Sequence, residues 1–335
     1  MTKLALSYDD ILLVPQYSEV KSRKDVDLSV DLGRGIKLKI PIIAANMLHI
    51  AGYKMIRAIA ELGGLAVMHR FDEYTNILKD YETLVGERSD FKYKVAVSVG
   101  VKQRDYWFVD RLLDADCKIF CVDVAHGDHV LCHDMVKYIR SKSEALIIAG
   151  NVATAGGVRR LYEAGADVVK LNVGSGSICS TRIQTGHGVP SITVLEQARL
   201  ESINYDGKIK LIADGGLRTS GDITKALVFA DVVMLGNLLA GTDESPGEKI
   251  IIDGQEYKEY AGSSTLKNNF VEGYKGYVKC KGSVKKVIEQ LMEGLSSGCS
   301  YQGVKNLSEL KCAEYVQITN SGLIESHAHD IVIRK

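Results

Sequence analysis

Eight short apolar runs, at residues 41–45, 65–68, 95–99, 119–124, 146–149, 167–171, 208–213 and 232–235, constrain this chain more than any other feature. Each is rich in β-branched residues and mostly uninterrupted, as parallel strands buried on both faces must be, and each is followed closely by Gly, Asn or His. Segments of helical period lie between them, among them 51–62, 105–113, 154–164 and 219–230, with Thr154 and Thr219 placed to act as N-caps. Strand and helix alternating eight times predict an α/β fold, the (β/α)8 TIM barrel, whose chemistry sits on the loops that follow the strands.

Residues 1–40 precede the first of these strands as an N-terminal extension, and residues 236–282 separate the eighth from a helix predicted over 284–295. In that insertion Asp253-Gly254 stands between two strand-like runs over 249–260, which predicts a hairpin. A hairpin and loop in this place would lie over the barrel mouth as a flap. No linker or low-complexity tract marks a second domain, so residues 1–335 read as one barrel domain. Lys+Arg and Asp+Glu are both 42, with no basic stripe, which argues against nucleic acid as a partner. No apolar run is long enough to span a bilayer, and Asp9 and Asp10 interrupt any signal-peptide core, so a cytoplasmic protein without membrane contact is expected. The seven cysteines are odd in number and lack metal-ligand spacing, which suits a reducing compartment. Cys117 and Cys121 read as packing residues.

After the sixth run comes Val173-Gly174-Ser175-Gly176-Ser177-Ile178-Cys179-Ser180-Thr181-Arg182. Glycines at 174 and 176 permit positive φ and bring backbone N–H groups close to a ligand, and Cys179 is the candidate nucleophile. An isolated cysteine is more often a small buried hydrophobe, and the surrounding motifs are what favour the nucleophile here. The seventh and eighth strands end in Asp214-Gly215-Gly216 and Leu235-Gly236-Asn237, the places where this fold usually binds phosphate. Asp214 is a fixed acceptor for ribose hydroxyls, as carboxylates are in dinucleotide sites.

These motifs, with 213–219, Gly221-Asp222, Glu244-Ser245-Pro246-Gly247-Glu248, Tyr8-Asp9-Asp10 and Ala45-Asn46-Met47, resemble the family of IMP dehydrogenases and GMP reductases nearly end to end. The resemblance implies a purine nucleotide (GMP or IMP) as substrate, a nicotinamide cofactor and a covalent adduct between Cys179 and purine C2. It is closest to the short reductases of Gram-positive bacteria. No regulatory domain is inserted, and no arginine occurs between Arg218 and Arg334, so the flap cannot supply the arginine that activates water in the dehydrogenases. The resemblance therefore implies NADPH-dependent reductive deamination of GMP to IMP, with release of ammonia. Thr181 and Glu272 form its proton relay. Ser177, Asp214, Gly216, Gly236, Asn237, Tyr260, Ser263 and Ser264 hold the nucleotide. Asp123 and His126 match the loop that meets the nicotinamide, although His126 reads as well as a strand-end histidine. Arg70 is placed to pair with the 2′-phosphate of NADPH or to sit in solvent.

The tail Glu325-Ser326-His327 resembles instead the bacterial dehydrogenase terminus, which helps a neighbouring subunit hold potassium. The remaining potassium ligands would be carbonyl oxygens of Gly174, Gly176 and Cys179, and such a shared site goes with a homotetramer. His327 and His329, taken as alternate residues of an extended strand, would face opposite ways and not join in one metal site. Three other readings stay open: a dehydrogenase lacking its regulatory domain, a catalytically silent nucleotide sensor, and an unrelated phosphate-binding barrel such as a flavin oxidoreductase.

Overall fold

The computed structural model describes residues 4–262 and 273–328. Its strands are β1 (Ile11–Leu13), β2 (Val30–Gly33), β3 (Ile36–Leu38), β4 (Ile42–Ala44), β5 (Leu65–Met68), β6 (Val95–Val99), β7 (Ile119–Asp123), β8 (Leu146–Val152), β9 (Val168–Leu171), β10 (Lys210–Asp214), β11 (Val232–Leu235), β12 (Lys249–Ile252), β13 (Gln255–Ala261), β14 (Lys275–Lys279) and β15 (Tyr315–Gln317). Its α-helices are α1 (Tyr53–Leu62), α2 (Tyr74–Glu87), α3 (Gln103–Asp114), α4 (Val130–Lys142), α5 (Ala155–Ala164), α6 (Thr181–Thr185), α7 (Ser191–Ile203), α8 (Ser220–Phe229), α9 (Val284–Tyr301), α10 (Leu307–Leu310) and α11 (Asn320–Glu325).

Strands β4 to β11 close into a barrel of parallel neighbours, β11 returning to β4 through Val233 opposite Ile42. The eight predicted runs are these eight strands, with ends displaced by a few residues. The two expected caps are present: Thr154 accepts from Gly157 N–H at the start of α5, and Thr219 accepts from Asp222 N–H at the start of α8. Gly63 at φ 87° and Gly165 at φ 113° end α1 and α5 in the left-handed region, where a Cβ would be strained.

Strand parity divides the core. Phe120, Val122, Val169, Leu171, Leu211 and Ala213 point outward to the helices. Their neighbours Ile119, Cys121, Val168 and Ile212 fill the barrel interior. Leu32, Ile36 and Leu38 belong to the same inner cluster. They come from the β2–β3 hairpin, turned through Arg34 (φ 53°) and Gly35 (φ 77°), and they pack with residues such as Leu65, Ile119 and Leu146 that begin barrel strands. The hairpin thus plugs the end where the strands begin and leaves the opposite mouth open. Truncating one of these inner side chains to Ala would cost about 2–5 kcal/mol.

The insertion after β11 is a three-stranded sheet, β12-β13-β14. Asp253 (φ 52°) and Gly254 (φ 75°) make its first turn, as a two-residue hairpin with both centres at positive φ requires. Two lysines fasten its root. Lys258 Nζ donates to the carbonyls of Thr242 (2.9 Å), Asp243 (3.3 Å) and Ser245 (2.7 Å), and Lys281 Nζ donates to those of Asn237 (2.6 Å) and Leu238 (3.3 Å). The expectation of an extended tail is corrected: Thr319 caps α11, and His327 N–H donates to Ile324 O at its end. His329 lies outside the described residues.

Candidate active site

Continuing the inward parity of the strands by one step reaches the mouth. Inward Cys121, Val168 and Ile212 are followed two residues on by Asp123, Lys170 and Asp214, so all three project into the barrel just above its apolar filling. Lys170 has a side chain only 4% exposed, with Nζ 2.7 Å from Asp123 Oδ1 and 3.1 Å from Asp214 Oδ2. Burial alone would strip its proton, but the charges of Asp123 and Asp214 outweigh that and push the ammonium above its ordinary value. Burial would likewise raise Asp123, and Lys170 more than offsets it, holding that carboxyl below its ordinary range. Asn151 Nδ2 also donates to Asp214 Oδ2, at 2.9 Å.

Two cavities open above this layer. The first, of about 340 Å³, is lined by Ser177, Asp214, Gly216, Gly236, Asn237 and Tyr260, all expected from the sequence to hold a nucleotide. Gly215 (φ 88°) and Gly216 (φ 80°) both lie in the left-handed region. A Cβ on Gly215 would stand 2.8 Å from Ser175 Oγ, so glycine is what lets the two loops meet. Tyr260, at the end of β13, is 3% exposed, and burial pushes its phenol up to about 12, so it stays a neutral donor. Ser263 and Ser264 lie outside the described residues.

The second cavity, of about 300 Å³, holds Cys179, Thr181, Arg70, Asp123 and Asn151. It shares Gly174, Ser175, Gly176, Asp214, Gly215 and Tyr260 with the first, so one ligand can reach from the glycine turns to the thiol. Cys179 Sγ is 3.1 Å from Thr181 Oγ1, and of the seven cysteines it alone lines either cavity. Cys117 and Cys121 are buried packing residues, as expected.

The cysteine loop differs from expectation at one glycine. Gly174 has φ 76°, but Gly176 is not among the glycines at positive φ, and its missing Cβ would meet only Cys179 Cβ at 3.5 Å. Arg182 staples the loop instead, donating from Nε to Val173 O (3.2 Å) and from Nη2 to Val189 O (2.7 Å). Gly174 makes room for it, since a Cβ there would lie 2.5 Å from Arg182 Cγ.

Glu272 lies outside the described residues; of the residues described nearby, Gly262 N–H donates to Tyr274 O (3.3 Å) and Tyr274 N–H donates to Ile178 O (2.8 Å), next to Cys179. Arg70 lines the second cavity with its buried Nε unpartnered among the described residues. His126 is exposed and outside the lining, which Val124 and Ala125 supply. Glu325, Ser326 and His327 line neither cavity. Gly176 O, one of the expected potassium ligands, accepts Cys179 N–H at 3.0 Å. Among the described residues no group of three His, Cys, Asp or Glu could hold a metal, and no helix is long and apolar enough to cross a membrane.

Several members of the site escaped the sequence reading. Tyr8, which lines the first cavity, stands in a motif that carries the resemblance without a role being assigned to it, whereas Asn151 and Lys170 are single polar residues with no local pattern. Only the strand parity of Lys170 signalled it.

Over residues 5–329 the chain matches the IMP dehydrogenase / GMP reductase domain. It is 40% identical over 325 residues to a GMP reductase of Lactobacillus delbrueckii subsp. bulgaricus, covering 95% of this chain and 96% of that one. It is 37% identical over 322 residues to a GMP reductase of Staphylococcus aureus, covering 94% and 96% respectively. In three dimensions it is similar to a GMP reductase of Trypanosoma brucei solved in complex with guanosine 5′-monophosphate, with TM-score 0.89, 29% identity and 99% of each chain covered.

Proposed function

The chain belongs to the IMP dehydrogenase / GMP reductase family, and from that premise we propose that it is a GMP reductase, converting GMP and NADPH to IMP, ammonia and NADP⁺. The observation that carries the reading is the joined pair of cavities: glycine turns suited to a phosphate on one side, and on the other a thiol 3.1 Å from a hydroxyl.

In this reading the turns at Gly215-Gly216 and Gly236 take the phosphate with backbone N–H groups, and Asp214 Oδ1, which no group among the described residues holds while Asn151 and Lys170 hold Oδ2, takes a ribose hydroxyl. Tyr260, a neutral donor, closes over the nucleotide. The Cys179 thiolate adds to purine C2, forming a C–S bond, and the 2-amino group leaves as ammonia once it has gained a proton. Thr181, beside the sulfur, and Glu272 hold and pass that proton. NADPH, when bound, supplies the hydride that C2 takes as the C–S bond breaks, returning the thiolate. Arg70 with its unpartnered Nε, and Asp123, would face the cofactor in the second cavity. Counting protons, GMP, NADPH and two H⁺ give IMP, NADP⁺ and NH₄⁺.

The absence of arginine between Arg218 and Arg334 supports the reductive over the hydrolytic outcome, because the flap offers no such base to activate water. Potassium and a homotetramer come from the resemblance, and no step runs through either.

Absorbance of NADPH tests the reading directly. Purified protein with GMP and NADPH should lose that absorbance while forming IMP and ammonia in equal amounts. Gain of absorbance with IMP and NAD, with XMP formed, would replace this reading with the dehydrogenase.

A further inference from the structure

The layer beneath the two cavities is tied together by one cation. Lys170 stands on β9 and reaches Asp214 on the neighbouring β10 and Asp123 on β7, two strands away on its other side. Asp214 lines both cavities and Asp123 only the second. The other titratable groups that act on or feel this cluster are the Cys121 thiol, buried in the barrel interior, Arg70, whose charge acts on Asp123, the Cys132 thiol, which feels Asp123, and the phenols of Tyr8 and Tyr260, which feel Asp214. Among the described residues the Lys170 ammonium has no other charged partner. A cation so placed is shared: whatever draws charge from one carboxylate leaves more of it for the other.

Resting on the roles given above to Asp214 and Asp123, we propose that Lys170 is a positioning residue that couples the two cavities, so that a nucleotide held by Asp214 sets Asp123 for the cofactor side. The free Oδ1 of Asp214 is where a ribose hydroxyl would donate. That bond draws carboxylate charge away from Oδ2, and Lys170 is then held more firmly by Asp123. Coupling of this kind must be reciprocal in binding, so the state of Asp123 must be felt by the nucleotide.

The purpose-built variant is Lys170→Met, with Lys170→Arg as its conservative partner. Lys170→Met should lower kcat and raise the KM for GMP, each by about tenfold. Its pH–rate profile should gain an acid limb, because Asp123 loses the charge that keeps it ionised while buried. Lys170→Arg should recover most of the activity and the wild-type profile. A folded Lys170→Met with kcat, KM and profile unchanged would overturn the proposal, as would Lys170→Met and Lys170→Arg impaired alike with no change of profile.

The second arm stands even if Lys170→Met does not fold. Asp123→Asn leaves the first cavity untouched but releases Lys170 to Asp214, so calorimetry without any cofactor should show GMP affinity altered several-fold. Unchanged affinity sinks the coupling. Wild-type protein that binds no GMP sinks instead the reading of Asp214 on which the proposal rests, and the two failures are therefore distinct.

Discussion

The two cavities at the barrel mouth are nearly equal in volume, about 340 and 300 Å³, yet they are made of different material. The first gathers the glycine turns at Gly215, Gly216 and Gly236, which present main-chain groups, with hydroxyls such as those of Ser177 and Tyr260. The second is side chain: a thiol, a hydroxyl, a guanidinium and two carboxylates. Recognition of an anion needs only fixed N–H dipoles, which a strand-end turn provides without any titratable group. Bond making needs groups that gain and lose protons, and these must be brought by separate strands. Damage to the first cavity should therefore appear in binding, and damage to the second in turnover.

The largest effect expected is from Cys179→Ala. With the sulfur gone no adduct forms, and kcat should fall at least about 10³-fold. GMP should still bind within a few-fold of wild type, because the first cavity keeps every group. Calorimetry of the inactive variant checks this, and loss of binding would break the division of labour. Thr181→Val comes next: it preserves shape and removes the hydroxyl beside Sγ, so kcat should fall about 10²-fold with little change in KM.

Gly215→Ala probes the glycine turn that the two cavities share. Its φ of 88° would strain any Cβ by about 1–2 kcal/mol, and the Cβ would also press on Ser175 Oγ at 2.8 Å. The KM for GMP should rise about tenfold or more while turnover at saturation holds. A large fall in kcat with normal KM would show that the glycine turns take part in chemistry as well as in binding.

What could be read from the sequence follows the same line. Barrel strands are buried on both faces, so they appear as plain apolar runs, and Asp253-Gly254 announces its hairpin because few other pairs tolerate positive φ twice. The glycine turns and Cys179 are local motifs that a sequence displays directly. Lys170 was passed over as one residue inside the run 167–171, although the parity that places Val168 inside must place Lys170 there too. The β2–β3 plug was missed because its strands are of four and three residues, too short for a period to show. Helix α11 replaces the extended chain expected of this polar stretch because Thr319 caps its first turn.

A smaller effect concerns the insertion that carries Tyr260 to the first cavity. Lys258→Met leaves the carbonyls of Thr242, Asp243 and Ser245 without their shared donor, which should destabilise the sheet root by about 1–3 kcal/mol. Limited proteolysis should then cut within 249–282 before the barrel opens. The KM for GMP should rise more than kcat falls, since Tyr260 serves binding. Uniform cleavage across the chain would place Lys258 in the stability of the whole fold and not in that of the insertion.

An effect confined to alkaline pH reads the charge behind the second cavity. Burial, with Asp123 and Asp128 adding to it, pushes the Cys132 thiol from 9.0 up to about 12. In the unfolded chain the same thiol ionises near 9.0, so between the two values the folded state keeps a proton that the unfolded state has lost. Stability from this group is therefore complete below pH 9 and declines as pH rises towards 12. Other lysines, tyrosines and cysteines titrate in this window as well, but they cancel when wild type is compared with Cys132→Ala. The wild-type advantage in denaturant unfolding should shrink above pH 9, with a slope approaching about 1.4 kcal/mol per pH unit. Adding Asp123→Asn to both proteins should soften that decline, because one of the two charges raising the thiol is removed. A difference that stays flat with pH would mean that water reaches Cys132 and screens it from Asp123 and Asp128.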